Sequence, residues 1–141
     1  MAVEIEGMNK IIATFEDIEE ADNLKQAMGK ACAIVERTAK EKARKDTGAL
    51  RRSITSKIEE NGKDILGVVF TPLEYAPYKE YGTGLFAEDG KGRKDVPWEY
   101  EDEKGVWHST SGMKPDPFMR PALNENREKI LELLKEGIGN G

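Results

Sequence analysis

The residues that most often carry enzymatic chemistry are scarce in this chain of 141 residues. It has one histidine, His108, and one cysteine, Cys32, which lie far apart in the sequence. A catalytic triad or a His/Cys zinc site needs several such groups together, so these two residues cannot supply either. Carboxylates are plentiful, but no pair stands out by its spacing. The sequence therefore predicts no catalytic residue and no metal ligand.

Cofactor and phosphate binding are not predicted either. Gly82-Thr83-Gly84, followed by Gly90 and Gly92, lacks the Lys-Ser/Thr ending and the following helix of a phosphate loop. Cys32 falls in an apolar helical pattern, which favours a buried, inert thiol, and a single cysteine forms no internal disulfide. These features predict a protein that is not an enzyme and needs no cofactor.

The charge of the chain is unevenly distributed around a net value of -5. Residues 1–22 hold seven acidic and one basic residue, whereas residues 36–52 hold seven basic and three acidic residues. Basic side chains could neutralise phosphates, but the negative net charge and the lack of aromatic residues among them argue against sequence-specific DNA binding. Three interpretations remain open: weak contact with DNA in a channel, head-to-tail stacking of copies, and a solvated helix face.

Apolar periodicity predicts the elements of the amino-terminal half. Within residues 1–20 we expect an extended arm and then a short helix, because Met8, Ile11, Ile12 and Phe15 have helical spacing. A long amphipathic helix is predicted over residues 23–45. Asp22 would cap its start, and Gly48 in a left-handed conformation would end it.

Strand and turn signals predict the remaining elements. Residues 53–71 alternate around Asn61-Gly62, which indicates a β-hairpin. Residues 75–81 read as a short helix between Pro77 and Gly82. A carboxy-terminal helix is predicted over residues 121–136, starting at Pro121 and stopping at Gly137. This order predicts a single α+β domain over residues 1–141, with both main helices packed on one face of a small antiparallel sheet.

The long segment of residues 83–117 is predicted to be a projecting loop with a second hairpin in it. Residues 96–100 and 106–108 would form the two arms. Six of the ten aromatic residues lie between positions 75 and 100, in an otherwise polar chain. Such clustering indicates an interface, and the alternative is that the aromatic residues cover a thin sheet. We expect this loop to contact neighbouring subunits or a partner.

Three short motifs occur in order along the chain. They are DTGALRRSI at residues 46–54, YAPYKEYGTG at residues 75–84 and PFMRPAL at residues 117–123. Together with GMKP at residues 112–115, they resemble the head–tail joining and tail-completion proteins of long-tailed double-stranded-DNA bacteriophages, which are often described as minor tail components. The resemblance runs from about residue 7 to the last helix. Residues 85–114 depart from it.

The resemblance implies a structural virion protein that forms a ring at the neck and joins head to tail. Its implied partners are copies of itself, the head connector and tail proteins, with non-specific proximity to DNA and with no membrane or small-molecule substrate. We expect it in the host bacterial cytoplasm during assembly and then in the virion. The alternative is an intracellular adaptor or a nucleic-acid-binding module. The candidate interface residues are Arg51, Arg52, Tyr78, Tyr81, Phe86, Trp98, Tyr100, Trp107, Phe118 and Arg120.

Overall fold

The computed structural model describes residues 2–6, 9–43, 48–92, 94–112 and 114–139. The chain divides into two units by its internal contacts. The first, Met1–Pro72 with Phe118–Gly141, is called the sheet–helix unit, and the second, Leu73–Pro117, is called the hairpin unit. The single-domain organisation stays a prediction.

A four-stranded antiparallel sheet forms the base of the sheet–helix unit. Its strands have the order β1-β2-β4-β3, so β2 and β4 lie at the centre. Alternate residues of the two central strands are buried, among them Ile11 and Ala13 of β2 and Ile65 and Val69 of β4. One face of the sheet therefore covers the core, as in a one-sided antiparallel sheet. The strands are β1 (Ala2–Glu6), β2 (Lys10–Thr14), β3 (Thr55–Asn61) and β4 (Asp64–Phe70).

The prediction of a short amino-terminal helix is wrong. Lys10–Thr14 is strand β2, which pairs with β1 on one side and with β4 on the other. A helix this short is unstable by itself, whereas two neighbouring strands satisfy the backbone of β2 along both edges. Met8, which contributed to the helical spacing, lies outside the described residues.

The hairpin predicted over residues 53–71 is confirmed as β3 and β4. Its turn is displaced by one position, because Asn61 pairs with Asp64 and leaves Gly62 and Lys63 as the two loop residues. Gly62 has a φ of 61° and takes the left-handed conformation that the turn requires.

The long amphipathic helix is confirmed as α1 (Ala21–Lys42). Asp22 is not its cap, because a 3-10 turn at Ile18–Glu20 precedes the helix and the Asp17 carboxylate accepts the N–H of Glu19 at 3.1 Å. Gly48 is left-handed with a φ of 97°, but it directly precedes the short helix α2 (Ala49–Ser53). Positions 44 and 45, at the end of the predicted helix, lie outside the described residues.

The carboxy-terminal helix consists of two pieces, α4 (Met119–Glu125) and α5 (Arg127–Gly139), and both contact α1. The break is at Asn126, whose side-chain amide donates to the Thr38 hydroxyl at 2.9 Å and to the Ala122 carbonyl at 2.7 Å. Gly137 does not stop α5. A Cβ at this glycine would lie 2.6 Å from the Cβ of Ala27, so the glycine lets α5 approach α1 closely.

The sheet–helix unit is thus an α+β fold with helices over one face of a small antiparallel sheet, which confirms the predicted fold class. α1 lies against β3 and β4, and α4 and α5 pack on α1. Within the described part of the chain, no helix is long and apolar enough to cross a membrane.

The hairpin unit contains a short helix and a two-stranded sheet. α3 (Ala76–Tyr81) has Pro77 in its first turn and ends at Gly82, as predicted. β5 (Trp98–Glu101) and β6 (Trp107–Thr110) form the second hairpin expected in residues 83–117. A 3-10 turn at Gly84–Phe86 follows α3.

Two helical glycines allow a test of the helix packing. Gly29→Ala should raise the free energy of unfolding by about 0.5–1 kcal/mol, because alanine favours helix and the new Cβ would lie 3.5 Å from Ile58, an ordinary contact. Gly137→Ala should lower it by about 1–3 kcal/mol, because the new methyl meets Ala27. Urea unfolding of both variants measures the difference. A Gly137→Ala protein at least as stable as the native chain would contradict the close approach of α5 to α1.

Candidate functional site

An open groove of about 1290 Å³ lies within the hairpin unit. Its walls come from α3, from the loop after α3, and from one face of the β5–β6 hairpin. Five aromatic side chains line it, namely Tyr75, Tyr78, Tyr81, Trp98 and Tyr100. We call this feature the aromatic groove.

The three tyrosines reach the groove because they are three positions apart around α3. Residues with this spacing share one face of a helix. The N–H of Tyr78 donates to the Tyr75 carbonyl at 3.1 Å, and the N–H of Gly82 donates to the Tyr78 carbonyl at 2.8 Å. Tyr78 is 55% exposed, which is more than a tyrosine serving the core would show. The helix therefore presents a row of phenol rings outward.

Strand alternation brings Trp98 and Tyr100 to the same groove. In the β5–β6 register, Trp98 faces Thr110 and Tyr100 faces His108, so these four residues share one face of the hairpin. Trp98, Tyr100 and Thr110 all line the groove. Trp107 pairs with Glu101 on the opposite face and is 63% exposed there.

Glycines bring the loop after α3 next to the base of the hairpin. A Cβ at Gly84 would lie 2.8 Å from the Cα of Gly112 and 2.9 Å from the Trp98 ring. Gly84 and Gly112 have φ values of 59° and 125°, which side-chain-bearing residues rarely adopt. The N–H of Leu85 donates to the Ser111 carbonyl at 3.0 Å and joins the two segments. The position of Trp98 in the groove thus depends on residues without side chains.

A network around Asp102 fixes the far end of the hairpin. One carboxylate oxygen accepts the N–H groups of Lys104 and Val106, each at 2.9 Å, and the other lies 2.7 Å from Nε2 of His108. The hydrogen bond to His108, followed by that from Val106, lowers the pKa of the Asp102 carboxyl. The His108 ring also stacks on Tyr100 with centroids 5.2 Å apart. His108 therefore orients a groove residue.

The edge of the groove carries charges of both signs, and the groove belongs to an acidic unit. Glu88, Asp89 and Lys91 line it, and the Asp89 carboxylate accepts the N–H of Lys91 at 2.8 Å. The sequence of the hairpin unit contains ten acidic and six basic residues, so this unit carries -4 of the net charge of -5. The groove therefore offers aromatic side chains within a unit of negative net charge.

The structure brings together four of the ten candidate interface residues, since Tyr78, Tyr81, Trp98 and Tyr100 line the aromatic groove. Tyr75 completes the set and was missed, although its spacing of three from Tyr78 was a usable signal. Phe86 is 39% exposed and lies outside the groove lining, with the Lys114 ammonium 5.8 Å from its ring centroid.

The other candidates belong to the sheet–helix unit, apart from Trp107 on the far face of the hairpin. Arg51 and Arg52 are exposed on α2, whereas Arg120 on α4 is partly buried. Phe118 is only 2% exposed, so it serves the core and we leave it out of the proposed surface.

No group of three or more His, Cys, Asp or Glu side chains that could hold a metal ion occurs among the described residues. Cys32 is buried, and burial raises the pKa of its thiol to about 11. This pKa keeps the thiol protonated and weakly nucleophilic near neutral pH.

Comparison with protein families gives one match. Residues 9–82, just over half of the chain, match the family described as "Bacteriophage HK97-gp10, putative tail-component". The chain belongs to this family of phage tail components, which confirms the resemblance to structural phage proteins drawn from the motifs. The matched region includes Arg51, Arg52 and the three groove tyrosines, and it ends before the β5–β6 hairpin. Searches of curated proteins and of solved structures give no match.

The Asp102 network makes a pH-dependent prediction. Because the folded-state pKa of Asp102 lies below the ordinary pKa of an aspartate, the network should stabilise the hairpin at a pH above that ordinary pKa and weaken as the pH falls through the folded-state pKa. His108→Ala should move the Asp102 pKa back toward its ordinary value in an NMR titration. Ser109→Ala, an exposed neighbour on β6, should leave the Asp102 pKa unchanged. Identical Asp102 titrations in all three proteins would contradict the assignment.

Proposed function

We propose that this protein is a structural virion component that assembles into a ring at the phage neck and joins the head connector to the tail. Membership of a phage tail-component family supports the structural role. The observation that carries the assembly role is the aromatic groove, because a row of exposed aromatic rings is characteristic of a protein-binding surface.

The distribution of exposed apolar side chains supports this proposal. Among the residues that the structure describes, ten large apolar side chains are exposed, and eight of them belong to the hairpin unit. Scattered single residues of this kind need no explanation, but a concentration in one short unit indicates a surface that a partner covers. The eight are Tyr75, Tyr78, Tyr81, Leu85, Phe86, Tyr100, Val106 and Trp107.

A ring can form when two copies contact each other through different surfaces of the chain. A contact between unlike patches repeats head to tail, and it closes into a ring when the rotation between copies allows. The charge separation within the chain provides unlike patches, since the hairpin unit is acidic and α2 displays Arg51 and Arg52. The same arginines could approach DNA in a central channel.

The alternative of a nucleic-acid-binding module receives less support. Lys42 is paired with Glu125 at 2.7 Å, and Lys40 lies 3.9 Å from Glu36. In the described part of the basic stretch, Arg37, Arg51 and Arg52 remain as exposed cations. Strongly salt-dependent DNA binders make roughly six to ten phosphate contacts, and the carboxylates paired with Lys40 and Lys42 would compete with phosphates for these two lysines.

Disruption of the gene in its phage should yield full heads and complete tails that remain separate, visible by negative-stain microscopy. Complementation with the native gene should restore joined particles. Particles that assemble and infect normally without the gene would contradict the neck role. A salt-sensitive gel shift by the purified protein, with normal particle assembly after disruption, would favour the nucleic-acid-binding alternative.

A substitution in the aromatic groove tests whether this surface is needed for assembly. Tyr78→Ser should weaken assembly by about 2 kcal/mol or more, because exposed aromatic anchors dominate interface energy. Ile18→Ser removes an apolar side chain that is 81% exposed on the sheet–helix unit, away from the groove, and should complement as the native gene does. Equal complementation by the two variants, with both proteins folded by circular dichroism, would exclude the groove from the assembly surface.

A further inference from the structure

We propose that strand β3 of one copy pairs with strand β3 of a second copy, antiparallel and in a register centred on Ile58. The pairing would join two four-stranded sheets into one continuous sheet across a two-fold axis. The contact belongs to the sheet–helix unit. It is therefore separate from the aromatic groove and does not rest on the proposed neck role.

Strand β3 is an open edge of the sheet. Within the residues that the structure describes, it pairs with β4 and with no other strand. All of its residues are exposed except Ser56, which is half-buried. An edge strand presents a row of unpaired N–H and C=O groups, and such a row can pair with a strand of another chain.

The register of β4 identifies the residues of β3 that bond outward. The N–H of Val69 donates to the Asn9 carbonyl at 3.1 Å, so the odd-numbered residues of β4 bond toward β2. Its even-numbered residues therefore bond toward the odd-numbered residues of β3. The even-numbered residues of β3 direct their N–H and C=O groups away from the sheet. They are Ser56, Ile58 and Glu60.

The sequence of β3 complements itself when two copies run antiparallel about Ile58. Lys57 of each copy would face Glu59 of the other, and opposite charges directly across two strands are stabilising. Ser56 would face Glu60, and no like charges would lie opposite each other. The three outward-bonding residues would pair among themselves and form about six backbone hydrogen bonds.

The charged residues of β3 keep their partners within the chain in this arrangement. The Lys57 ammonium lies 2.9 Å from the Glu59 carboxylate, and the Lys25 ammonium lies 2.6 Å from the Glu60 carboxylate. An ammonium has three donors, so each Lys57 can also contact the Glu59 opposite. Exposed ion pairs contribute little energy. The charges would therefore select the register, and the backbone hydrogen bonds would hold the strands together.

Ile58 gives the contact an apolar centre. Its side chain is 39% exposed and lies on the side of the sheet that α1 covers, 3.5 Å from the position of a Cβ at Gly29. In the proposed contact it would pack against Ile58 of the second copy. Ala33, four positions after Gly29, is exposed on the same face of α1. These two small residues leave room for the second copy beside the β3 edge.

The other open edge of the sheet, β1, does not complement itself. It has five residues whereas β3 has seven, so it offers fewer backbone groups. Antiparallel pairing centred on β1 would place Glu4 opposite Glu4 of the second copy, and like charges directly opposite are destabilising. Self-pairing is therefore disfavoured at β1 and favoured at β3.

A single cysteine tests the two-fold register in the purified protein. The Cα atoms of the two Ile58 residues would lie about 5.5 Å apart, which is within the range of a disulfide. Ile58→Cys should therefore form a covalent dimer under mild oxidation, visible by non-reducing electrophoresis. Ser56→Cys is the matched control and should stay monomeric, because its two copies would lie roughly 14 Å apart. Cys32 can stay in place because its buried thiol has a pKa of about 11.

Proline tests the backbone pairing. Ile58→Pro removes an N–H that points away from the sheet, and an edge strand tolerates proline at such a position. The variant should stay folded by circular dichroism and lose the concentration-dependent dimer in sedimentation velocity. Ile58→Ala keeps the N–H and should still form the dimer.

Charge variants test the same contact without changing the backbone. Lys57→Glu should weaken the dimer about 2- to 30-fold, because two pairs of glutamates would then face each other. The combination of Lys57→Glu with Glu59→Lys should recover the native dissociation constant.

Native protein that stays monomeric at every concentration tested would overturn the inference, and so would equal crosslinking of the cysteines at positions 56 and 58. A covalent product from Val3→Cys with Ile58→Cys, but not from Ile58→Cys alone, would assign this edge to β1 of a second copy and would also overturn it. Each outcome concerns the β3 contact alone, because the neck role is tested separately by disruption of the gene.

Discussion

The close packing of α1 on strand β4 is the contact on which the rest of the sheet–helix unit depends. At Gly67 the strand has no side chain, and a Cβ there would lie 2.5 Å from the Cys32 sulfur and 2.6 Å from the Met28 sulfur. The helix therefore sits in space that any other residue in β4 would occupy. On another side of α1, Ala27 faces α5. Helix α5 approaches it closely because Gly137 has no side chain. Small residues on both sides make α1 the centre of this fold.

The two units differ in how they use apolar residues. The sheet–helix unit places nearly all of them inside, around a helix that is covered on two sides. The hairpin unit is a short segment of one small helix and two strands, and such a segment has too little depth to enclose its aromatic rings. It holds its shape by glycine-mediated backbone contacts and by the Asp102 network, and its rings remain at the surface. The small size of the unit thus leaves its aromatic rings exposed.

Local patterns in the sequence predicted the elements whose apolar residues recur with the period of the element, such as α1 and the β3–β4 hairpin. They failed where a distant partner decides the outcome. β2 is a strand because β1 and β4 flank it, and α5 continues past Gly137 because Ala27 lies opposite. Phe118 is aromatic, as many interface residues are, but the whole fold buries its side chain. The aromatic residues of the groove could be predicted because they cluster in the sequence. The charged residues at its edge and the glycine contacts depend on the three-dimensional fold.

The two side chains best suited to chemistry are both used in packing or orientation. Cys32 fills the space above Gly67, and burial raises the pKa of its thiol to about 11. His108 bonds Asp102 and stacks on Tyr100, so its ring holds an aromatic residue in the groove. Reactivity would cost each residue this role. A Cys32 thiolate in an apolar contact would pay a desolvation penalty, and a displaced His108 imidazole would release the hairpin tip. In this chain, reactive side chains have become parts of the scaffold that presents an aromatic surface, which is the property a structural tail component needs.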